Sequence, residues 1–343
     1  DRKMDNIEQR KKLANILKRA QNTAKPDKCI VCGETQTSFC NSHLIPQMIL
    51  KTIAEEGKLL HANALVGVEI LDIEKGINNA GTFHFICRKC DGILFQDYEN
   101  REALKNYPSD NMLAEIAMKD MLLMLSKRGE EKEIFNIIQR ESNIFENKGI
   151  LDEIQDLDTK EYLEDFRFYK EIIDGKKSGC FQILYWKKLP YVTPVAAQSS
   201  IAIYKDMNGD IVNDVYSEDP NYRIQNVHLC IFPIENETIV LLFCHKKEKN
   251  YKKLRHQLNS ISEEKKLMYI NYIMFAYTEN YFFSKSVQKK IEADENLRKL
   301  SRELNGLPNF GYMNTDSILD KYEPVKMEEI PNFLSEEYSL QME

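Results

Sequence analysis

The amino-acid sequence predicts an α+β protein with three parts: a small cysteine-rich module, a helical middle section, and a C-terminal antiparallel sheet packed on helices. Three observations lead to this prediction. Residues 28–105 contain five of the eight cysteines and only short apolar periods. Residues 111–141 and 152–173 repeat apolar side chains at helical spacing. Residues 181–244 are rich in β-branched and aromatic residues, which favour strands.

These composition changes also predict the domain boundaries. The chain has 343 residues, a length typical of two or three domains. We place an N-terminal helix and the cysteine-rich module in residues 1–105, a helical connector in 106–175, and an α+β domain with an acidic tail in 176–343. The second boundary follows from residues 175–179, Gly-Lys-Lys-Ser-Gly, which end a helix.

The overall composition excludes several classes of protein. A hydrophobic fraction of 43% excludes wholesale disorder, and 13 Gly with 10 Pro exclude a fibrous chain. No run of 18 apolar residues is present, so we expect no membrane association. The first four residues lack a signal-peptide pattern. We therefore expect a cytoplasmic protein whose cysteines are thiols or metal ligands and do not form disulfides.

Helical elements are expected at both ends of the chain. Residues 5–22 carry apolar side chains at helical spacing between basic ones, and Pro26 follows as a helix breaker. Residues 251–291 return to helical spacing. The stretch near 262–283 has a thick apolar and aromatic stripe, which is typical of a helix that faces a core.

Two hairpins are expected between the helical regions. The first is predicted by Asn-Gly at 208–209, which lies between apolar runs at 200–204 and 211–216. The second joins residues 227–234 to 238–244. We expect both hairpins to form one antiparallel sheet packed on the apolar helix that follows.

Charge is distributed unevenly along the chain, whose formal net charge is −7. Residues 1–51 carry ten basic and five acidic side chains, and residues 245–290 carry eleven and four. The tail, residues 301–343, carries three and nine. Such blocks are either solvated faces or, for the basic ones, phosphate contacts, with the tail as a movable or partner-facing segment. The acidic total argues against a chain that coats nucleic acid along its whole length.

Two cysteine pairs predict a metal site. Cys29 and Cys32 form one C-x2-C motif, and Cys87 and Cys90 form another 54 residues later. Four thiolates suit tetrahedral Zn²⁺, and neighbouring basic side chains favour the thiolate form. The sequence therefore predicts one structural zinc with these four ligands. The alternative is four ordinary buried thiols.

Any reaction must come from residues near such a site, because four protein ligands leave no position for water. His43 follows the first pair, and an unperturbed imidazole titrates near neutrality. Asp91 opens an expected helix over 91–103, and Glu99 lies on the same face two turns later. The two carboxylates could hold Mg²⁺ or Mn²⁺. Two further histidines of the module are weaker candidates: His61 and His84.

The order of these motifs resembles a known family. Cys29–Cys32, then Ser42-His43-Leu44-Ile45-Pro46, then Cys87–Cys90 with Asp91 directly after it, is similar to the zinc-containing HNH nucleases of the treble-clef, ββα-metal type. It is more similar still to uncharacterised bacterial proteins with CxxC, SHxxP and CxxC-D/E motifs. The resemblance covers roughly residues 28–104.

The resemblance implies an endonuclease that hydrolyses nucleic-acid phosphodiester bonds, with DNA favoured over RNA. His43 would be the general base, and Asp91 and Glu99 would hold a catalytic Mg²⁺ or Mn²⁺. It also implies a role in restriction, phage defence or toxicity. Under this nuclease hypothesis we expect the C-terminal half to bind substrate, a trigger or a protein partner.

Two other functions stay open. Ser42 and Phe95 stand where the family has metal ligands, which favours a noncatalytic zinc module that binds nucleic acid or a protein partner. The third reading is an interaction or sensor protein in which zinc only stabilises the fold.

Overall fold

The computed structural model describes residue 12 and residues 15–62, 71–142, 148–215, 217, 219, 221–305 and 325–341. Helices and an antiparallel sheet both occur, so the predicted α+β class is confirmed. The chain divides into two compact units, each built from three separate stretches. We call them the cysteine unit (Asp1–Leu44, Thr82–Asn100 and Pro108–Ser178) and the sheet unit (Ile45–Gly81, Arg101–Tyr107 and Gly179–Glu343).

The elements are numbered in chain order. The helices are α1 (residues 15–23), α2 (Gln47–Ile53), α3 (Arg88–Leu94), α4 (Arg101–Leu104), α5 (Asp110–Ser142), α6 (Lys148–Ile173), α7 (Tyr251–Asn259), α8 (Glu263–Tyr277), α9 (Gln288–Ala293) and α10 (Glu295–Asn305). The strands are β1 (Ser42–His43), β2 (Lys58–Ala62), β3 (Leu71–Gly76), β4 (Thr82–Phe83), β5 (Phe181–Leu189), β6 (Val195–Ile201), β7 (Val227–Ile234), β8 (Glu237–His245) and β9 (Tyr281–Phe283).

The two units differ from the three consecutive domains expected at 1–105, 106–175 and 176–343. Part of the expected cysteine-rich module belongs to the sheet unit instead. The reason is strand pairing: Leu60 of β2 pairs with Phe283 of β9, which brings β2 and β3 into the large sheet.

The cysteine unit is built on two long helices, α5 and α6, which confirm the predicted helical middle section. They run antiparallel, because Arg128 reaches Asp158 at 3.0 Å while Lys132, one turn later, reaches Asp156 at 2.9 Å. Helix α1 packs its buried apolar residues against Ile137 of α5. Residues 5–11, 13 and 14 of the predicted N-terminal helix lie outside the described residues.

The helix expected over residues 91–103 is not continuous. Helix α3 ends at Leu94, and a separate short helix, α4, begins at Arg101. Between them the backbone N–H of Tyr98 donates to the Glu115 carboxylate at 2.7 Å. A buried side-chain acceptor thus takes a donor that a continuous helix would direct to its own carbonyls.

The sheet unit contains a seven-stranded antiparallel sheet in the order β3-β2-β9-β6-β7-β8-β5. The predicted second hairpin is confirmed as β7–β8. The predicted helix stripe is confirmed in α8, which buries Ile270, Ile273 and Met274 completely. The Ser262 hydroxyl caps α8 by accepting from the N–H of Lys265 at 3.3 Å.

The predicted first hairpin is wrong as a pair of strands. In the described part of these arms there is one isolated bridge, between Lys205 and Ile211, and β6 pairs with β7 instead. The physical reason is local hydrogen bonding. The Asp206 carboxylate accepts from the N–H groups of Asn208 at 2.9 Å and Asp210 at 3.0 Å, so it closes a tight turn without extended flanks.

The described part of the acidic tail packs into the core of the sheet unit, to which it belongs. Phe333 and Leu334 are fully buried, and Leu340 bridges to Val192. The side chain of Asn271 on α8 donates to the Pro331 carbonyl at 3.0 Å. Residues 306–324 lie outside the described residues. No described helix is both long enough and apolar enough to cross a bilayer.

Candidate metal centre

The four predicted cysteines form one cluster. The sulfur atoms of Cys29, Cys32, Cys87 and Cys90 all lie within 4.8 Å of one another, and those of Cys32 and Cys87 are 4.0 Å apart. A tetrahedral ion with M–S bonds of about 2.3 Å places its sulfurs about 3.8 Å apart. The cluster therefore closes on a metal ion by shifts of about 1 Å or less.

A tight turn presents the first pair. Gly33, with φ +72°, donates its N–H to the Cys29 carbonyl at 2.8 Å. The N–H of Cys29 donates to the Glu34 carbonyl at 3.0 Å. Glycine follows the pair because this left-handed conformation is strained for residues with a Cβ atom. The turn lets two sulfurs three residues apart reach the same point.

The start of a helix presents the second pair. Cys87 immediately precedes α3, and Cys90 lies in its first turn. The two pairs are joined by the backbone as well, since the N–H of Ile30 donates to the Phe85 carbonyl at 3.1 Å. The N–H of Cys87 points at the Cys29 sulfur at 3.3 Å. Backbone donors to sulfur of this kind stabilise a thiolate ligand.

The thiols respond differently to this packing. Burial acts to raise the pKa of Cys29, but hydrogen bonds from the backbone of Cys32, Cys87 and Val31 outweigh it and lower the pKa to about 7. Burial and the neighbouring Cys87 thiol raise the pKa of Cys90 well above its ordinary value. Four thiolates so close together repel one another unless a cation lies between them.

The donor set fits a structural metal ion. Four sulfur ligands at C-x2-C spacing are consistent with structural zinc, and they leave no open coordination position. Among the residues that the structure describes, these cysteines form the single group of three or more His, Cys, Asp or Glu ligands placed to hold a metal ion.

The predicted carboxylates do come together, around a lysine. The Lys119 ammonium on α5 donates to Glu99 Oε1 at 2.7 Å and to the His43 carbonyl at 3.0 Å, and it lies 3.6 Å from Asp91 Oδ1. Its side chain is only 1% exposed. The Ser42 hydroxyl donates to the same Asp91 oxygen at 2.6 Å. One buried cation thus lies between the two acids proposed as metal ligands.

Aromatic rings complete the surroundings of this ammonium. Lys119 Nζ lies 4.4 Å from the centre of the Phe95 ring and 5.9 Å from that of Tyr98. A ring face attracts a cation through its quadrupole. Phe95 therefore serves as a wall of the lysine site at a position where the resembling family has a metal-binding histidine. We call Lys119, Asp91, Glu99 and Phe95 the lysine site.

The three histidines of the predicted module lie in different places. His43 is half-buried on β1, opposite Thr82 of β4, and its carbonyl accepts from Lys119. His84 Nε2 lies 2.7 Å from the Asn41 side-chain oxygen, and burial lowers its pKa. His61 lies on β2 and belongs to the sheet unit.

Sequence reasoning missed the polar stripe of α5. Asn111, Glu115 and Lys119 follow one another at four-residue spacing, so they share one face of the helix. Glu115 accepts from Tyr98 N–H and from the Asn111 amide, which also donates to Asp97. The signal was a repeat of polar residues inside an otherwise apolar helix, where such residues need buried partners.

Glu115 predicts a pH dependence of stability. Burial raises its pKa to about 7, and the Asp97 charge adds to this, against hydrogen bonds from Tyr98, Asp97 and Asn111. The folded state therefore holds this proton more tightly than the unfolded state, so the contribution favours folding at low pH and is lost as pH rises from about 4.5 to 7. Over that range we expect the unfolding free energy of the native chain to fall by about 2 kcal/mol relative to Glu115→Gln. Urea unfolding of the native chain and of Glu115→Gln at pH 5 and pH 8 measures this difference in unfolding free energy. The same pH dependence in the two proteins would contradict the prediction.

Comparison with known proteins does not identify a family for the chain. No protein-family model, no curated protein and no solved structure matches it. The function must therefore be inferred from the site itself.

Proposed function

We propose that the chain is a noncatalytic nucleic-acid-binding protein whose cysteine unit is stabilised by one structural zinc ion. The observation that carries the proposal is Lys119. A catalytic divalent ion in an HNH-like site would need the carboxylates of Asp91 and Glu99, and the lysine ammonium already lies between them.

The charge balance of the lysine site supports a structural role. An ammonium ion neutralises carboxylates, but it offers no open coordination position at which a water is activated or a phosphate oxygen is polarised. Because Lys119 is almost completely buried, it also has no path to a substrate. If a divalent ion took the carboxylates of Asp91 and Glu99, the buried Lys119 ammonium would lose its partners, which is strongly unfavourable.

The surface of the metal centre supports a nucleic-acid partner. Lys28 precedes the first cysteine of the cluster, and Arg88 and Lys89 lie between the two cysteines of the second pair. All three are exposed. Exposed cations held beside a metal ion suit contacts with backbone phosphates, which fix position without reading sequence.

A binding and cleavage experiment tests this proposal. Zinc-loaded protein is titrated into labelled duplex DNA, single-stranded DNA and RNA, with fluorescence anisotropy as the readout. We expect binding that weakens with salt and is reduced about tenfold or more by the triple variant Lys28→Glu, Arg88→Glu, Lys89→Glu. The same substrates incubated with Mg²⁺ or Mn²⁺ are expected to stay intact. Unchanged binding by the variant would refute the proposed contact surface.

Hydrolysis is the second candidate, and one observation favours it. Strands β1 and β4 pair antiparallel and α3 follows them, which is the ββα order of the resembling nucleases. In that order His43 lies on the first strand, half-buried. Cleavage of plasmid or RNA that His43→Ala abolishes, with zinc content and melting curve unchanged, would establish the nuclease and refute the noncatalytic proposal. A general base removed in this way costs about 10²–10⁴ in rate.

A further inference from the structure

A strongly basic surface occupies one side of the sheet unit, on α7 and the turn before it. Between residues 246 and 256 the chain exposes six Lys or Arg side chains and one His. The single acidic residue of the stretch, Glu248, is buried. We call residues 246–256 the α7 surface.

The exposed charges lie on the face that helix packing leaves outside. Tyr251, Leu254 and Leu258 are fully buried and fix α7 against the core. Lys252 and Arg255 are exposed beside them. Because the apolar face is already buried, α7 has none left to insert into a bilayer, which a membrane-surface helix requires.

Three of the cations form a regular row. Lys249 lies one turn before Lys252, whose N–H donates to the Lys249 carbonyl at 3.1 Å, and Arg255 follows three residues later. Lys252 and Arg255, three residues apart in α7, are separated by about 4.5 Å along the helix axis. A nucleic-acid strand carries one phosphate charge per about 3.4 Å of helix axis. The row therefore presents exposed cations close enough together to contact neighbouring phosphates of one strand.

The three cations of this row differ from their neighbour Lys253 in their ion pairing. Lys253 on the same helix contacts Asp206 at 3.1 Å and also pairs with Asp210, so its charge is neutralised locally. Lys249, Lys252 and Arg255 make no ion pair with any residue that the structure describes.

We propose that the row Lys249, Lys252 and Arg255 is a second contact surface for the phosphate backbone of nucleic acid, carried by the sheet unit and made of other residues than the metal centre. It rests on the proposed function for its ligand class, and it adds a contact that the cysteine unit does not contain. Backbone contacts of this kind bind without sequence preference.

A charge-reversal experiment with the zinc-loaded full chain tests this inference. The variant Lys249→Glu, Lys252→Glu, Arg255→Glu is compared with a control of equal charge change, Lys265→Glu, Lys289→Glu, Lys290→Glu, whose three residues are exposed elsewhere in the sheet unit. We expect the first to weaken binding to labelled DNA about tenfold or more and to lower the slope of log Kd against log salt by about 2–3. The control is expected to change both by much less. The corresponding Gln variant removes the same three contacts and is expected to lose a similar slope with a smaller loss of affinity. It replaces the Glu variant if Trp186 fluorescence shows that the latter is misfolded.

The outcomes separate the two proposals. In one outcome the α7 variant binds DNA with native affinity while the Lys28, Arg88 and Lys89 variant loses affinity. This result refutes the α7 surface and leaves the proposed function standing. The reverse result supports the α7 surface and refutes the contact at the metal centre. Equal losses in the α7 variant and its charge-matched control refute the α7 surface, because net charge then explains the effect. Binding to phosphatidylserine vesicles but not to nucleic acid refutes both.

Discussion

Removing the metal is expected to unfold the cysteine unit while the sheet unit stays folded. Structural zinc contributes about 10–16 kcal/mol in small sites, which is as much as the whole stability of a typical domain, about 5–15 kcal/mol. Here the ion would join a turn to the start of helix α3, 54 residues later, and the neighbouring strands β1 and β4 have two residues each. Chelator treatment or the substitution Cys32→Ser should therefore unfold the cysteine unit.

Two readouts distinguish the units in this experiment. The only tryptophan, Trp186, lies on β5, so its fluorescence reports the sheet unit. Elemental analysis reports the metal, and proteolysis within 82–100 reports the cysteine unit. Cys180→Ser is the control because Cys180 lies outside the cluster, and it should retain one zinc per chain. Protein purified without chelator that contains no metal would contradict the prediction.

Replacing Lys119 by Met is expected to destabilise the cysteine unit by about 1–3 kcal/mol. The substitution keeps the length of the side chain but removes the charge-assisted hydrogen bonds to Glu99 and to the His43 carbonyl. The Asp91 and Glu99 side chains are 22% and 40% exposed, so water partly compensates the loss and the cost stays below that of breaking a fully buried pair. Urea unfolding followed by circular dichroism, with zinc present, measures the change. Lys132→Met on the same helix is the matched control. Its partner Asp156 is 68% exposed, so its loss should cost less than about 1 kcal/mol.

A combined variant tests the electrostatic cause. When Lys119→Met is joined with Asp91→Asn and Glu99→Gln, the unpaired charges are gone and a large part of the stability should return. No recovery would mean that Lys119 acts through packing alone. Divalent-ion binding by Lys119→Met with its carboxylates intact, and its absence in the combined variant, would identify the lysine as the group that fills a cation position.

Sequence predicts the fold best where a pattern is local and repeated. The helices α5 and α6 and the hairpin β7–β8 follow from periodicity over many residues, and the cysteine cluster follows from spacing because two C-x2-C turns each specify their own geometry. The five residues of β2 carry no such pattern, and their pairing depends on β9 far along the chain. The role of Lys119 could not be predicted from the sequence either, because its partners come from β1, α3 and the turn after α3.

The alternation of the chain between two units has a consequence for its synthesis on the ribosome. The cysteine unit needs residues up to 178, while 45–81 of the sheet unit emerge long before β9, with which β2 pairs. Pairings of such sequence separation fold slowly and leave early strands exposed meanwhile. Continuous fragments cut at residue 105 or 175 would each lack strands or helices supplied by the other piece. We expect coexpressed fragments, but neither fragment alone, to yield soluble protein.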